Sequence, residues 1–352
     1  MGGEVILRAE NVSVDYEGRR PTHAVRGVSF ELQRGEVLGI VGESGCGKST
    51  LAYALTRLLR PPARLTGGSI QFMEPDGTAT DLATMDAEEL RRLRWSRISM
   101  VFQSAMNALN PVTPIGKQFG DIFAAHRPDM DKAARASRAR ELLELVGIDP
   151  RRARSFPHEL SGGMRQRVAI AMALALSPDL VIMDEPTTAL DVVVQREILD
   201  EVDRLREELG FSVIFITHDL SLLLEISDRL AVMYAGQFVE YAPGEAVAPG
   251  AVHPYTQGLL GSFPDMRGER RALHGVPGVP PDLRQDFTGC PFLARCGQSM
   301  TGVCETVTPL LRQVPDRADG WLAACHLADP ARQQARAGAA FQGGQERAGD
   351  TA

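Results

Sequence analysis

Residues Gly42–Thr50 read GESGCGKST, which fits the spacing G-x-x-x-x-G-K-[ST]. Gly42, Ser44, Gly45 and Gly47 form a turn whose backbone N–H groups wrap a phosphate chain, and a helix N-terminus behind it adds to the attraction. Lys48 is spaced to reach β- and γ-phosphate oxygens, Ser49 to ligate Mg²⁺, and Thr50 continues the turn. Cys46 occupies a wildcard position and reads as a small filler, not a nucleophile. Far along the chain, LVIMDEP ends an apolar run in two acids. There Asp184 is placed to hold Mg²⁺ through its water shell, and Glu185 to accept a proton from an attacking water or to orient it. A third segment, LSGGMRQR, sets Ser161, Gly162 and Gly163 before a helix start and presents donors and a hydroxyl to an anion. Alone, Asp184-Glu185 is an ordinary strand end and Ser161 an ordinary helix N-cap. Together the three segments imply two phosphate-binding surfaces and magnesium-assisted phosphoryl chemistry.

These groups need a scaffold. EVLGIVG reads as a buried strand feeding the glycine turn, with a helix from about Lys48, and GGSIQFM reads as another strand. MDAEELRRLR reads as a solvated helix with Glu88 and Arg92 at i,i+4 spacing. Residues 104–175 are mostly helical in pattern, broken by NPVTP and SFPHELSGG. LVIMD has the wholly apolar character of a central parallel strand. In the next helix Val194, Ile198, Val202, Leu205 and Leu209 share one face, Gly210 sits at the C-cap, and the strand FSVIFIT follows at once. Strand–helix–strand with parallel-type strands predicts a doubly wound α/β core.

The composition, 44% hydrophobic and 24% charged, is that of an ordinary globular protein. The first residues lack an apolar leader, so the cytosol is the expected compartment. The longest apolar run, VAIAMALAL, is far short of the about 20 residues that span a bilayer, so a membrane role must come through a partner. A net charge of −7 offers no general attraction to nucleic acid.

In their order and spacing these segments resemble the ATP-binding cassette (ABC) family of transport ATPases over nearly all of residues 5–245. Tyr16 in VDYEG stands where that family stacks an aromatic ring on adenine. GESGCGKST matches Walker A, Gln103 in VFQ the Q-loop, and LSGGMRQR the signature. LVIMDE matches Walker B, Asp191 in ALD the D-loop, and His218 in THD the switch histidine. Standing alone, Tyr16 would be a strand aromatic, Gln103 a polar strand end and His218 a strand cap. The resemblance implies a P-loop NTPase (RecA-like) α/β core with an antiparallel β part and an inserted helical subdomain at about 104–175. It also implies ATP and Mg²⁺ as cofactors, with Ser49, Asp184 and Gln103 around the metal. Two cassettes would pair head to tail, Ser161–Gly163 of one covering ATP on the Walker A loop of the other. Glu185 would polarise water, His218 would hold the γ-phosphate geometry, and Gln103 would pass the nucleotide state to a transmembrane subunit.

An exporter often carries its own membrane spans, and translation or repair cassettes usually show two cassettes or a coiled-coil insertion; neither pattern is present. FQSAMNALNP, HPYTQGLLGSFPD at 253–265 and GVPGVPPDL resemble the peptide and nickel importer branch, which extends the likeness to about His326. It implies an ATP-hydrolysing subunit that drives di- or oligopeptide uptake from the cytoplasmic face of the cell membrane. Its partners would be two permease subunits, a second ATPase (itself or a homologue) and, indirectly, an extracytoplasmic solute-binding protein, with no nucleic acid. Nickel or another small solute stays open as cargo. A soluble ABC ATPase acting on nucleic acid or ribosomes is the reading from a different class.

The expected organisation is an ATPase domain over 1–248, a smaller C-terminal oligopeptide-transporter-type unit rich in Pro, Gly and Cys over 249–328, and a disordered tail over 329–352. In the smaller unit Cys290, Cys296, Cys304 and Cys325 are spaced C-x5-C-x7-C-x20-C, followed by His326. Disulfides are disfavoured in a reducing compartment. Zinc's common C-x₂₋₄-C knuckle is absent, whereas iron–sulfur clusters need four thiolates and accept irregular spacing. A metal staple would also explain how a segment with few core-forming runs folds. Some dipeptide-type members of the family carry a [4Fe–4S] cluster here, and GCPFLARC…C…ACH resembles that arrangement. The resemblance implies a [4Fe–4S] cluster on these four cysteines; Zn²⁺ is the alternative and unligated thiols the third reading. His326 is expected to be a bystander.

Overall fold

A computed structural model describes residues 3–103, 105, 108–188, 190–262 and 275–329. The expected tail beyond Asp329 lies outside the described residues. Two sheets form the frame. Strands β1 (Val5–Tyr16), β2 (Thr22–Gln33), β4 (Ala63–Met73) and β5 (Ala79–Asp81) make an antiparallel sheet in the order β2-β1-β4-β5. The larger sheet contains β3 (Val37–Val41), β6 (Ile98–Val101), β7 (Leu180–Asp184), β8 (Ser212–Thr217), β9 (Arg229–Tyr234), β10 (Gln237–Pro243), β11 (Arg312–Gln313) and β12 (Leu322–Ala323). Its order is β11-β12-β10-β9-β3-β8-β7-β6. β6, β7, β8, β3 and β9 run parallel, and β10 turns back antiparallel to β9.

The parallel strands are apolar on both faces because both are covered, as helical crossovers require. Successive residues point to opposite sides. Leu38, Ile40, Ile182, Ile214 and Ile216 join one core with Ile6, Phe72 and, from helix α1 (Lys48–Leu55), Leu51 and Leu55. Val37, Val41, Val181, Met183 and Phe215 join the other. That second core is closed by the helices α3 (Ile115–His126), α4 (Lys132–Leu145), α5 (Gly162–Ala173), α6 (Val192–Leu209) and α7 (Leu220–Ile226). The solvated helix α2 (Ala87–Leu93) begins in a capping box between Asp86 and Glu89, and Glu88 pairs with both Arg91 and Arg92. In α6 the buried residues are Ile198, Leu199, Val202 and Leu205, and Gly210 caps the end with φ 74°. Leu209, expected on the buried face, is 44% exposed, because the chain leaves the helix at the next residue.

The C-terminal segment returns to the main sheet. β12 pairs with β10, and Phe292, Val314, Trp321 and Ala323 enter the second core. A buried carboxylate organises this return: Glu240 of β10 accepts hydrogen bonds from the Val252 and His253 backbone N–H groups and from Trp321 Nε1, at 2.8, 3.1 and 3.0 Å. His253 then caps helix α9 (Pro254–Leu260), which follows α8 (Gly244–Gly250), by accepting the Tyr255 N–H at Nδ1. Complete burial pushes the His253 pKa down to about 3 from the ordinary 6.5. The folded state thus keeps this ring neutral while the unfolded chain protonates it below pH 6.5, so stability falls as pH drops from there toward 3. In that window His253 contributes up to about 1.4 kcal/mol per pH unit. His253→Asn, which retains a cap acceptor, should flatten the acid limb of a chemical-unfolding series by that slope.

Candidate nucleotide site

The pairing Val41↔Thr217, together with Asp184↔Ile216 and Val101↔Met183, brings the C-terminal ends of β3, β8, β7 and β6 to one edge of the sheet. Ligands of open α/β sheets bind at this edge. The sequence therefore delivers Gly42–Thr50, His218, Glu185 and Gln103 to one place from four distant segments.

The loop after β3 requires its glycines. Gly47 has φ 110°, and a Cβ there would stand 2.2 Å from the Ala24 carbonyl oxygen. A Cβ on Gly42 would stand 2.2 Å from the Met233 carbonyl oxygen. Ser44 and Gly45 are exposed at the turn, where Gly45 has φ 78°. Lys48 is buried and donates from Nζ to the carbonyl oxygens of Gly42 and Glu43, at 2.7 and 3.0 Å. The Tyr16 hydroxyl shares a 3.1 Å hydrogen bond with that of Thr50. Cys46 is a buried filler, its thiol pKa raised by burial.

Ser49 Oγ donates to Asp184 Oδ1 at 2.9 Å. Asp184 is fully buried, and its Oδ2 has no hydrogen-bond partner among the described residues. Burial pushes its pKa up to about 6, the Ser49 bond opposing and the Glu185 charge adding to the rise. A hydroxyl and a buried, half-satisfied carboxylate are hard oxygen donors that fit Mg²⁺.

Glu185 is held from both sides. Gln103 Nε2 and Thr188 Oγ1 each donate to Oε2 at 3.0 Å, which leaves Oε1 facing His218 Nδ1 at 3.6 Å. Its backbone is in the left-handed region, φ 46°, fixed by its N–H donating to the Ile216 carbonyl. A non-glycine residue there is strained, at a cost of about 1–2 kcal/mol. Thr188 had no place in the sequence reading; its signal is position, three residues after Glu185 on the tight turn that leaves β7.

A family model described as ABC transporter matches residues 25–188, and one described as the C-terminal region of oligopeptide/dipeptide transporters matches 239–304. The dipeptide transport ATP-binding protein DppD of Bacillus subtilis is 44% identical over 310 residues, spanning 87% of this chain and 90% of that protein. The chain belongs to the ABC transporter ATP-binding proteins. Similar relatives include the oligopeptide transport ATP-binding protein OppD of B. subtilis, 44% identical over 82% of this chain and 80% of its own length. Among solved structures, the ATP-binding cassette MJ0796, a dimer bound to ADP and Pi, is similar with a TM-score of 0.59 and 30% identity, covering 68% of this chain and 98% of its own. Among the described residues, no helix of this ABC protein is long and apolar enough to cross a membrane.

The signature residues cap their own helices and line a cavity of their own. Ser161 Oγ caps α5 by accepting the Met164 N–H, and Asp191 caps α6 by accepting the Val194 N–H. Ser161, Gly162, Gly163 and Asp191 line a separate cavity of about 360 Å³ that includes none of Gly42–Thr50.

The four clustered cysteines converge as well. Cys290, Cys296, Cys304 and Cys325 line one small cavity of about 10 Å³, and all are thiols. Backbone N–H groups of Gln298 and Met300 approach the sulfurs of Cys296 and Cys304 at 3.4 and 3.3 Å. Burial, with smaller contributions from the neighbouring sulfurs, pushes the Cys290 and Cys325 thiols up to about 11 and 12. Protonated thiols pack as small apolar groups. Among the described residues, no group of three or more His, Cys, Asp or Glu side chains is arranged to hold a metal ion. His326 is buried, and its Nε2 lies 2.8 Å from the Val307 carbonyl oxygen.

A Gly47→Ala substitution meets both a forbidden φ and a backbone oxygen. It should cost more than about 1 kcal/mol in stability and abolish the rise in melting temperature that MgATP gives the parent protein.

Proposed function

We propose that this ABC protein hydrolyses MgATP to drive di- or oligopeptide import, seated on the cytoplasmic side of two permease subunits and paired with a second cassette. The observation that carries the catalytic part is Asp184 Oδ2, a buried and unpartnered carboxylate oxygen beside Ser49 and next to a clamped Glu185. Such an orphan is costly unless a ligand completes it. Ser49 and Asp184 would hold Mg²⁺, which neutralises charge on the β- and γ-phosphate oxygens. Lys48 would turn from its loop carbonyls toward the phosphates. Gln103 and Thr188 aim the Glu185 carboxylate so that Oε1 accepts the proton of an attacking water, and His218 stands beside it to orient the γ-phosphate. Catalysis would be mainly positioning and electrostatics.

Dimerisation is supported by the signature cavity, whose lining includes none of its own Walker A loop. Val192 and Val193, beside Asp191, are 81% and 69% exposed, an apolar surface suited to a partner. Tyr16 would stack on adenine, releasing its hydroxyl from Thr50. The peptide cargo is supported by the matched C-terminal region and by the two Bacillus relatives. We infer a [4Fe–4S] cluster on the four cysteines from their convergence and from the N–H groups aimed at two of the sulfurs; assembling it would require the thiols to ionise and the about 10 Å³ between them to widen. The smaller unit after residue 248 would then be the cluster-bearing domain.

Glu185→Gln should bind ATP like the parent and lose turnover by about 100-fold or more, measured as phosphate release from the reconstituted transporter. Normal hydrolysis by this variant would overturn the catalytic assignment. Anaerobic purification followed by iron and sulfide analysis should return about four of each per chain; absence of both iron and zinc would remove the metal centre.

A further inference from the structure

Glu43 puts a negative charge inside a loop built to receive a polyphosphate, where the glycine-lysine pattern leaves its position unspecified. Its carboxylate does not stand alone. Arg295, between Cys290 and Cys296, grips it with both ends of the guanidinium fork: Nη1 to Oε2 at 2.6 Å and Nη2 to Oε1 at 2.8 Å. The Arg295 side chain is 4% exposed, and its other donors are used too, Nε on the Pro277 carbonyl and Nη2 also on that of Val276. Its guanidinium carbon lies 5.7 and 5.9 Å from the ring centres of Tyr234 and Phe292, within cation–π range. The Glu43 backbone is tied to the same region. Its N–H donates to the buried Tyr255 hydroxyl at 2.9 Å, while its carbonyl accepts from Lys48. One residue of the phosphate loop is therefore fixed by the C-terminal segment through its side chain and its amide, and touches the phosphate-binding lysine through its carbonyl.

We propose that Arg295, from the cysteine-bearing segment, is a positioning residue for nucleotide binding: it neutralises Glu43 and holds that carboxylate away from the phosphates and from Lys48. The proposal rests on the ATPase reading above. A fork-to-fork pair of this kind is geometrically specific, and removing one buried partner leaves the other charge uncompensated. Left unpaired, the Glu43 carboxylate repels the triphosphate and competes for Lys48. The consequence falls on affinity rather than on the bond-breaking step, since the partners of Arg295 are Glu43, Tyr234 and the carbonyls of Val276 and Pro277, not Glu185.

The test is titration of the full chain with a fluorescent ATP analogue, at low and high salt, with turnover measured in the reconstituted transporter. Arg295→Met should weaken binding by about tenfold or more at low salt and less at high salt, raising the KM for ATP with kcat within about twofold. Arg295→Lys, which keeps the charge but not the fork, should fall between. The decisive variant is Glu43→Gln combined with Arg295→Met, which removes the stray charge as well as its partner and should return binding to within about threefold of the parent. Parent-like binding by Arg295→Met, or a double variant as weak as the single one, would overturn the proposal while leaving the ATPase reading intact. If the parent chain itself bound no nucleotide, the ATPase reading and the proposal would both fall.

Discussion

The site depends on one constraint: four parallel strands hydrogen-bonded in a fixed register. Because β3, β8, β7 and β6 point the same way and pair as Val41↔Thr217, Asp184↔Ile216 and Val101↔Met183, their ends form a single edge. A slip of one residue in any of them would turn its side chains to the opposite face. That slip is opposed by apolar faces committed to two separate cores, so register is enforced by burial on both sides of the sheet. The Walker A loop, the buried Asp184 carboxylate and the clamped glutamate inherit their spacing from this arrangement.

The edge concentrates charge, and the fold meets it in different ways. Asp184 has one oxygen satisfied by Ser49 and one without a partner. Glu185 is given two donors and a strained backbone. Glu43 is neutralised from outside the strands altogether, by an arginine 252 residues away in sequence. The C-terminal segment thereby does more than follow the ATPase: it adds two strands to the sheet, supplies Trp321 to a core and grips the phosphate loop.

Much of this was legible from residues alone because it is local. The Walker A turn, the apolar strands ending in acids, the α6 face and the Gly210 cap each depend on contiguous sequence. The meeting of Gln103, Glu185 and His218 could be expected only from the family likeness, since no spacing rule links segments so far apart. What escaped the sequence is what tertiary packing decides. Thr188 is a plain turn residue until the turn aims it at Glu185, and Glu43 fills a wildcard position until Arg295 reaches it. The cysteine spacing pointed to a common centre, yet spacing does not say how closely the thiols pack, and here they surround about 10 Å³. Leu209 shows the opposite failure, where periodicity continued one residue beyond the packing.

The resting place of Lys48 has its own consequence. Its ammonium already holds two hydrogen bonds, to the carbonyls of Gly42 and Glu43. Engaging a phosphate is then an exchange of partners, and much of the new contact energy is offset by the bonds given up. An ammonium in solvent would give up water in the same way; here the partners given up belong to the loop itself. When the phosphate leaves, Lys48 returns to carbonyls that are already in place, so the loop closes on itself and not on water.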